Sequence, residues 1–291
     1  MILLVDKPAG MTSQKVVAKI KHASVHKLKI GHTGTLDPMC TGLLPVLTDR
    51  DTKLTQYFPH RKSYLASVRF GLKTDTGDVT GETLEISDLP TEDQFREVLP
   101  KMVGPCLQIP PMYSAVHVEG KRLYELARMG VEVKREPRQI EIFDLAYVDR
   151  LAEDEFRFSV TCSTGTYIRT LCEDIAAKMG LCATMSALRR TQSNGFALSD
   201  AHSLDEVLSL AEQDRLREIA VPTESAFSHL PAVTVPESGR RYYLNGGLLT
   251  LNRLSPVPDS VGLYRAYAED GRFIGLLEVK DGVSKSVFSI D

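Results

Sequence analysis

A chain of 291 residues with 43% hydrophobic and 25% charged residues has apolar content for one large core and a smaller one, which excludes a mainly disordered protein. No run reaches the roughly 18 to 20 apolar residues that span a bilayer, and Asp6 cuts short the opening ILLV, so neither a membrane span nor a signal peptide is expected and the chain reads as cytoplasmic. The formal charge of -3 conceals segregation: residues 1–73 carry twelve Lys or Arg against four Asp or Glu, whereas residues 74–111 carry two against eight.

ILLV reads as a first strand, KPAGMTS as a turn ending in a cap, and SQKVVAKIKHA as a helix with Val16, Val17 and Ile20 on one side and lysines on the other. Between Asp6 and Asp37 there is no acid, while Lys15, Lys19, Lys21, Lys27, Lys29, His22, His26 and His32 accumulate. That is either a solvated helix face with a basic loop or a surface for a polyanion; Arg61, Lys62 and Arg69 further on favour the second. Residues 31–45, interrupted by glycines and prolines, are expected to be mostly loop. Asp37 is their one carboxylate, and an Asp-Pro pair alone signals no more than a turn.

Strands resume at YLASVRF, where Tyr64, Ala66, Val68 and Phe70 share one face. TDTGDVTGE is an acidic turn, and Thr91 with Gln94 forms a capping-box pattern opening a helix that ends near Pro100. EFRFSVTC is a second clear strand, and TYIRTLCEDIAAKMG a helix closed by Gly180. Arg169 lies near the start of that helix, where the macrodipole disfavours a cation, so it wants an acidic partner such as Asp37. Ser203 and Glu206 open another helix. Strands and helices alternate without a βαβ rhythm, which points to an α+β fold. Beyond about residue 225, AVTV, LYRAYA, RFIGLLEV and KSVFSI, separated by turn residues, read as a small all-β unit joined by the linker TESAFSHLPAV. The five cysteines, odd in number and without a C-x-x-C pair, read as reduced and mostly buried, with neither a disulfide framework nor a zinc site.

Taken together, DKPAGMTS, GHTGTLDPMCTGLLPV, KSYLASVRFGLKTDTGD, QIPPMYSAVHVEGKRLYELARMG, STGTYIRTLCEDIA and LRRTQSNGF resemble the TruB family of tRNA pseudouridine synthases, in the family's order. The resemblance implies a pseudouridine synthase catalytic domain at 1–225 with a mixed, mainly antiparallel sheet, followed at 226–291 by a small PUA-like RNA-binding domain. It implies isomerisation of uridine 55 in the tRNA T loop by base flipping, with Asp37 as nucleophile, Arg169 as its charge partner and Tyr64 stacking on the base as base or aligner. It further implies that His32 fills the gap left by the extruded base, that Tyr167 and Leu188 line the uracil pocket, and that Lys7 and Lys62 are further substrate contacts, Lys7 lying with Pro8 in a turn beneath the catalytic loop. Residues 112–140 match an RNA-clasping insertion in which Tyr113, Lys121, Arg122, Tyr124 and Arg128 meet the RNA; Arg189 and Arg190 are expected at phosphates. No metal, organic cofactor or obligate protein partner is implied, and a monomer is expected. A tRNA-folding chaperone with secondary catalysis and a guide-RNA-dependent synthase are the alternatives. The chain departs from the family at LTDRDTK, which puts two acids and Arg50 into a turn near the back of the pocket, and at His117, where a lysine is common.

Overall fold

The computed structural model describes the backbone of residues 1–114, 117–118 and 121–290; within 117–128 it describes the side chains of Leu123, Leu126 and Ala127 only. Strand β1 (Ile2–Lys7) is buried everywhere but at Asp6. Thr12 caps α1 (Ser13–Ala23) by accepting the Lys15 N–H at 3.1 Å, and Val16, Val17 and Ile20 form its buried stripe. Strands β2 (Ile30–His32) and β3 (Thr41–Thr48) flank the segment that holds Asp37. The expectation that residues 31–45 are mostly loop therefore holds for 33–40 and fails at 31–32 and 41–45, which are strand. TGLLPVLT is a strand buried at every position but Thr41, because neighbours pair with both of its edges and cover both faces. Pro45 is accommodated through its carbonyl, which takes the Thr33 N–H at 3.1 Å.

Next come β4 (Arg61–Phe70), the hairpin β5 (Leu72–Thr74) and β6 (Thr83–Ile86), α2 (Glu92–Val98) with its Thr91–Gln94 capping box, and β7 (Gly104–Gln108). The insertion contributes β8 (His117–Val118), β9 (Lys121–Arg122) and α3 (Leu123–Arg128). Then follow β10 (Arg138–Arg150), β11 (Glu155–Ser163), α4 (Ile168–Ala177), β12 (Ala183–Ser193), β13 (Phe196–Ala197), β14 (His202–Ser203) and α5 (Leu204–Glu212). Ten of these strands form one sheet, β14-β1-β3-β12-β4-β11-β10-β7, with β13 beside β12 and β2 beside β3. Its pairs are antiparallel except β1 with β14 and β3 with β12, so the sheet is mixed and mainly antiparallel.

The parallel β3–β12 pair sets Gly42 against Arg190, and a β-carbon on Gly42 would stand 2.4 Å from the Arg190 carbonyl oxygen. With φ at 103°, only glycine suits that position. Three apolar clusters surround the sheet. Phe95 of α2 and Ile168, Leu171, Cys172 and Ile175 of α4 cover the face of β4, β10, β11 and β12. The α1 stripe and Leu204, Val207 and Ala211 of α5 cover one face of β1 and β3, while the other face takes Phe58, Phe196 and Phe227.

The last seventy residues hold α6 (Thr223–Ala226), β15 (Ala232–Thr234), α7 (Glu237–Leu244), β16 (Leu248–Thr250), β17 (Gly262–Tyr267), β18 (Phe273–Lys280) and β19 (Val283–Ser289). Their five strands run β15-β17-β18-β19-β16. Phe273, Leu276 and Phe288 of this sheet share the cluster around Phe58 and Phe227, whose rings stack at 5.0 Å. The acidic turn of LTDRDTK serves the same junction: Asp51 accepts the Thr223 hydroxyl at 3.2 Å and pairs with the Met1 amine at 2.6 Å. Helix α7, absent from the strand-by-strand sequence reading, is held by Tyr243, whose buried hydroxyl donates to the Phe288 carbonyl at 2.9 Å. No helix among the described residues is long and apolar enough to cross a membrane.

Candidate active site

The Asp37 loop avoids charge yet is tightly held, and its restraints come from four elements. From the end of β1, the fully buried Lys7 donates to the carbonyls of Pro8 at 2.8 Å and Cys40 at 2.7 Å, with Pro38 at 3.4 Å. From α1, the Ser13 hydroxyl accepts the Leu36 N–H at 2.8 Å and lies 3.1 Å from the Leu36 carbonyl. The Gly10 N–H reaches the Pro38 carbonyl at 2.8 Å. From β12, Arg190 donates to the carbonyls of Leu43 at 2.7 Å, Gly34 at 3.1 Å and Thr35 at 3.4 Å.

Two sequence expectations change here. Lys7, expected at the substrate, points at the underside of the loop; Arg190, expected at a phosphate, is fully buried and spends its donors on loop carbonyls. Arg189 is likewise engaged, with both terminal nitrogens on Asp6 at 3.1 and 2.6 Å. For Lys7 and Arg190 the reason is supply and demand: a loop of glycines and prolines exposes carbonyls that no ladder satisfies, and buried cations answer them.

Arg169 does meet Asp37. Its Nε lies 3.1 Å from Asp37 Oδ2, its Nη1 donates to the Thr76 carbonyl at 2.8 Å and its Nη2 to the Tyr113 carbonyl at 2.7 Å. A second carboxylate, Asp78, approaches Nη1 at 4.0 Å and is 6% exposed. Sequence reasoning misses Asp78 by treating TDTGD as a plain acidic turn, although an Asp flanked by threonines that can satisfy it is the mark of a held carboxylate. Asp78 Oδ1 takes the Thr80 N–H and the Thr76 hydroxyl, each at 3.0 Å. Gln108 escapes it too. Buried at the end of β7, it accepts the Tyr167 N–H at 2.7 Å and donates to the Tyr167 carbonyl at 3.1 Å, fixing the start of α4 from which Arg169 projects.

The cavity beside Asp37 has a volume of about 240 Å³ and is lined by Lys62, Tyr64, Ser114, Tyr167, Met185 and Leu188 among others. Burial pushes the Asp37 carboxyl above the usual aspartate range; Arg169 and Lys7 oppose that shift and Asp78 adds to it. The Asp37 side chain remains 37% open towards the cavity, while Arg169 is 5% exposed. Burial pushes the Tyr64 phenol up to about 12 against the pull of Arg190, which is hydrogen-bonded to it. His32 is held neutral, burial first and then Arg190 and Lys62 lowering its pKa, and its Nδ1 is buried without a partner among the described residues. The Ser114 hydroxyl is also buried and unpartnered among the described residues. Lys121, Arg122, Tyr124 and Arg128 lie on β9 and α3, and their side chains fall outside the described ones.

Residues 20–168 match the family model described as TruB family pseudouridylate synthase (N terminal domain), and residues 169–228 match the tRNA pseudouridylate synthase B C-terminal domain. The chain is similar to the tRNA pseudouridine synthase B of Bacillus subtilis (strain 168), with 43% identity over 85% of this chain and 82% of that protein. It is 39% identical to that of Burkholderia mallei (strain NCTC 10247), over 97% of this chain and 94% of that one. Among solved structures, a Cbf5-Nop10-Gar1 complex superposes with a TM-score of 0.73 at 27% identity, covering 96% of this chain and 78% of the other.

Proposed function

The chain belongs to the TruB family of pseudouridylate synthases, and from that membership we propose that it converts uridine 55 of the tRNA T loop to pseudouridine without a guide RNA. The observation that carries this reading is Asp37, restrained from four sides and 3.1 Å from Arg169, at the edge of a cavity walled by Tyr64, Tyr167 and Leu188. Such a cavity accepts one extruded base, not a stacked duplex, so base flipping precedes chemistry.

Ionised Asp37 attacks either C1′ of the ribose, which breaks the N1–C1′ bond, or C6 of the base. The uracil then turns and C5 bonds to C1′, displacing the Asp37 ester there on the first route; on the second the N1–C1′ bond breaks before C5 bonds and the Asp37–C6 bond breaks afterwards. Asp37 is freed as the carboxylate, and the proton lost from C5 is balanced by one gained at N1 through solvent. Arg169 keeps the carboxylate aimed and opposes its desolvation. A phenol near 12 stays protonated at neutral pH, so Tyr64 is read as a stacking wall and hydrogen-bond donor, not as the base that takes the C5 proton. His32 fills the vacated stack, Tyr167 and Leu188 hold the uracil, and Lys62 contacts the substrate. The insertion at 112–140, with Lys121, Arg122, Tyr124 and Arg128, clasps the RNA arm. We assign catalysis to residues 1–225 and a PUA-like RNA contact to 226–291, in a monomer working in the cytoplasm where tRNA matures.

The test is tritium release from unmodified tRNA labelled at uridine C5, with wild type and Asp37→Asn, followed by mapping of the changed position. Release by wild type alone, mapping to the T loop, is the expected result. The likeness to Cbf5 favours a second reading, guide-dependent action; release that required an added guide RNA would transfer the assignment to it. Tight tRNA binding with no release from either protein would instead favour a folding chaperone.

A further inference from the structure

Lys62 is a cation without a carboxylate partner among the described residues. It stands on β4, is 8% exposed and lines the cavity with Asp37 and Tyr64. Its ammonium makes no hydrogen bond or ion pair among the described residues. The charged group beside it is Arg190 of β12, another cation, whose own donors are engaged on the carbonyls of Gly34, Thr35 and Leu43. Gly34 leaves the ammonium its room: a β-carbon there would stand 2.5 Å from Lys62 Nζ. His32 of β2 lies close enough for Lys62 to lower its pKa, and its buried Nδ1 is unpartnered as well. Three ammonium donors thus stand at the cavity unspent among the described residues, with the unpartnered imidazole nitrogen of His32 within electrostatic reach.

On the reading of the site as a tRNA pseudouridine synthase, we infer that Lys62, supported by His32, forms the subsite for a backbone phosphate flanking the flipped uridine. A formal negative charge is what a buried ammonium with a cationic neighbour lacks, and phosphates are the formal negative charges an RNA carries. Asp37 cannot fill the role, because Arg169 holds it. The site is poised to take up a proton when it binds. Burial, followed by Arg190, lowers Lys62 to about 8, and a phosphate raises it again. Of its other neighbours, Cys162 on β11 is pushed to about 11, Tyr64 on β4 to about 12, and His32 is lowered, so none of them titrates between pH 8 and 9.

The experiment uses T-arm RNA hairpins, one natural and two carrying a neutral methylphosphonate 5′ or 3′ to the target uridine. Each is titrated calorimetrically into Asp37→Asn protein bearing Lys62, Lys62→Met or Lys62→Arg, in buffers of different ionisation enthalpy at pH 8.5. One methylphosphonate should weaken binding to the Lys62 protein roughly tenfold or more and cost nothing further in Lys62→Met. The natural hairpin should draw a proton into the Lys62 protein and none into Lys62→Met. Lys62→Arg should keep the methylphosphonate penalty and lose the proton uptake, which preserves the test if Lys62→Met does not fold. Equal penalties in all three proteins, or no proton uptake with Lys62 present, would overturn the subsite. Tritium release by the wild type on the natural hairpin reports separately on the underlying reaction.

Discussion

Arg169 carries four obligations at once: Asp37, Asp78 and the carbonyls of Thr76 and Tyr113. Removing it takes the guanidinium from two carboxylates, leaving Asp37 only the charge of Lys7, and leaves two carbonyls without donors. Because the Asp37 side chain is 37% exposed and water can reach it, the loss belongs at the lower end for a broken buried pair. Arg169→Ala is expected to cost about 3 kcal/mol of stability and most of the turnover; an unchanged urea midpoint and rate would show that the contact is idle. Asp78→Asn should reduce turnover while tRNA binding stays within a few-fold, since Asp78 acts on Arg169 and does not line the cavity. The pH dependence follows from burial. Asp37 has a raised pKa in the folded protein, so folding favours its protonated form; the stability it contributes at low pH is lost as pH rises through that value. Catalysis needs the other form, so the acid limb of kcat/KM should lie above the usual aspartate range. It should move further up in Arg169→Ala, where the opposing guanidinium is gone; a limb that stays at the ordinary value would contradict this account. Asp37, Tyr64 and Arg169 are legible in the sequence because each sits in a motif. Asp78, Gln108 and Ser13 are not, because each works on a residue distant in the chain.

At the scale of elements, the parallel contact between β3 and β12 holds the reactive loop against the far side of the sheet. Gly42→Ala would force a β-carbon to within 2.4 Å of the Arg190 carbonyl at a φ of 103°, and is expected to cost about 3 kcal/mol or more. Ser13→Ala is milder. It orphans the buried Leu36 N–H, a loss of about 2 kcal/mol, and should slow turnover through a loosened loop, read as a fall in kcat with little change in KM. A thermal melt identical to wild type would mean that water replaces the hydroxyl. Elements with regular periodicity are legible: β4, β11, α1, the capping box of α2 and the Ser203 cap of α5 all stand where the pattern puts them. β3 reads as loop because Gly42 and Pro45 are breakers by local rules, and only pairing on both edges overrides them. α7 escapes because Gly239 interrupts a short polar stretch whose helix depends on Tyr243 reaching across to Phe288.

Across the whole molecule, the two sheets meet through one apolar cluster in which Phe227, fully buried, stacks on Phe58 beside Phe273 and Phe288. Phe227→Ala should therefore cost about 3 to 5 kcal/mol and lower a single calorimetric transition; two separate transitions in the wild type would show that the sheets unfold independently. Charge is also a property of the whole. Lys15, Lys19, Lys21, Lys27 and Lys29 are exposed, and none is ion-paired among the described residues, so tRNA binding should weaken steeply with salt. Exchanging Lys15 and Lys19 for Gln should reduce the salt slope by about 1 for each phosphate that is no longer neutralised, and a slope unchanged by both would place the RNA elsewhere. The sequence by itself determined the mixed α+β class, the segregation of charge and Asp37 as the acidic partner of Arg169, because periodicity, composition and contiguous motifs are local. Tertiary structure alone decided that Arg190 and Lys7 serve the loop, that Asp78 joins Arg169, and that Lys62 stands unpaired among the described residues. Burial and pairing depend on which distant carbonyls and charges the fold brings within about 3 Å, the range over which a hydrogen bond forms.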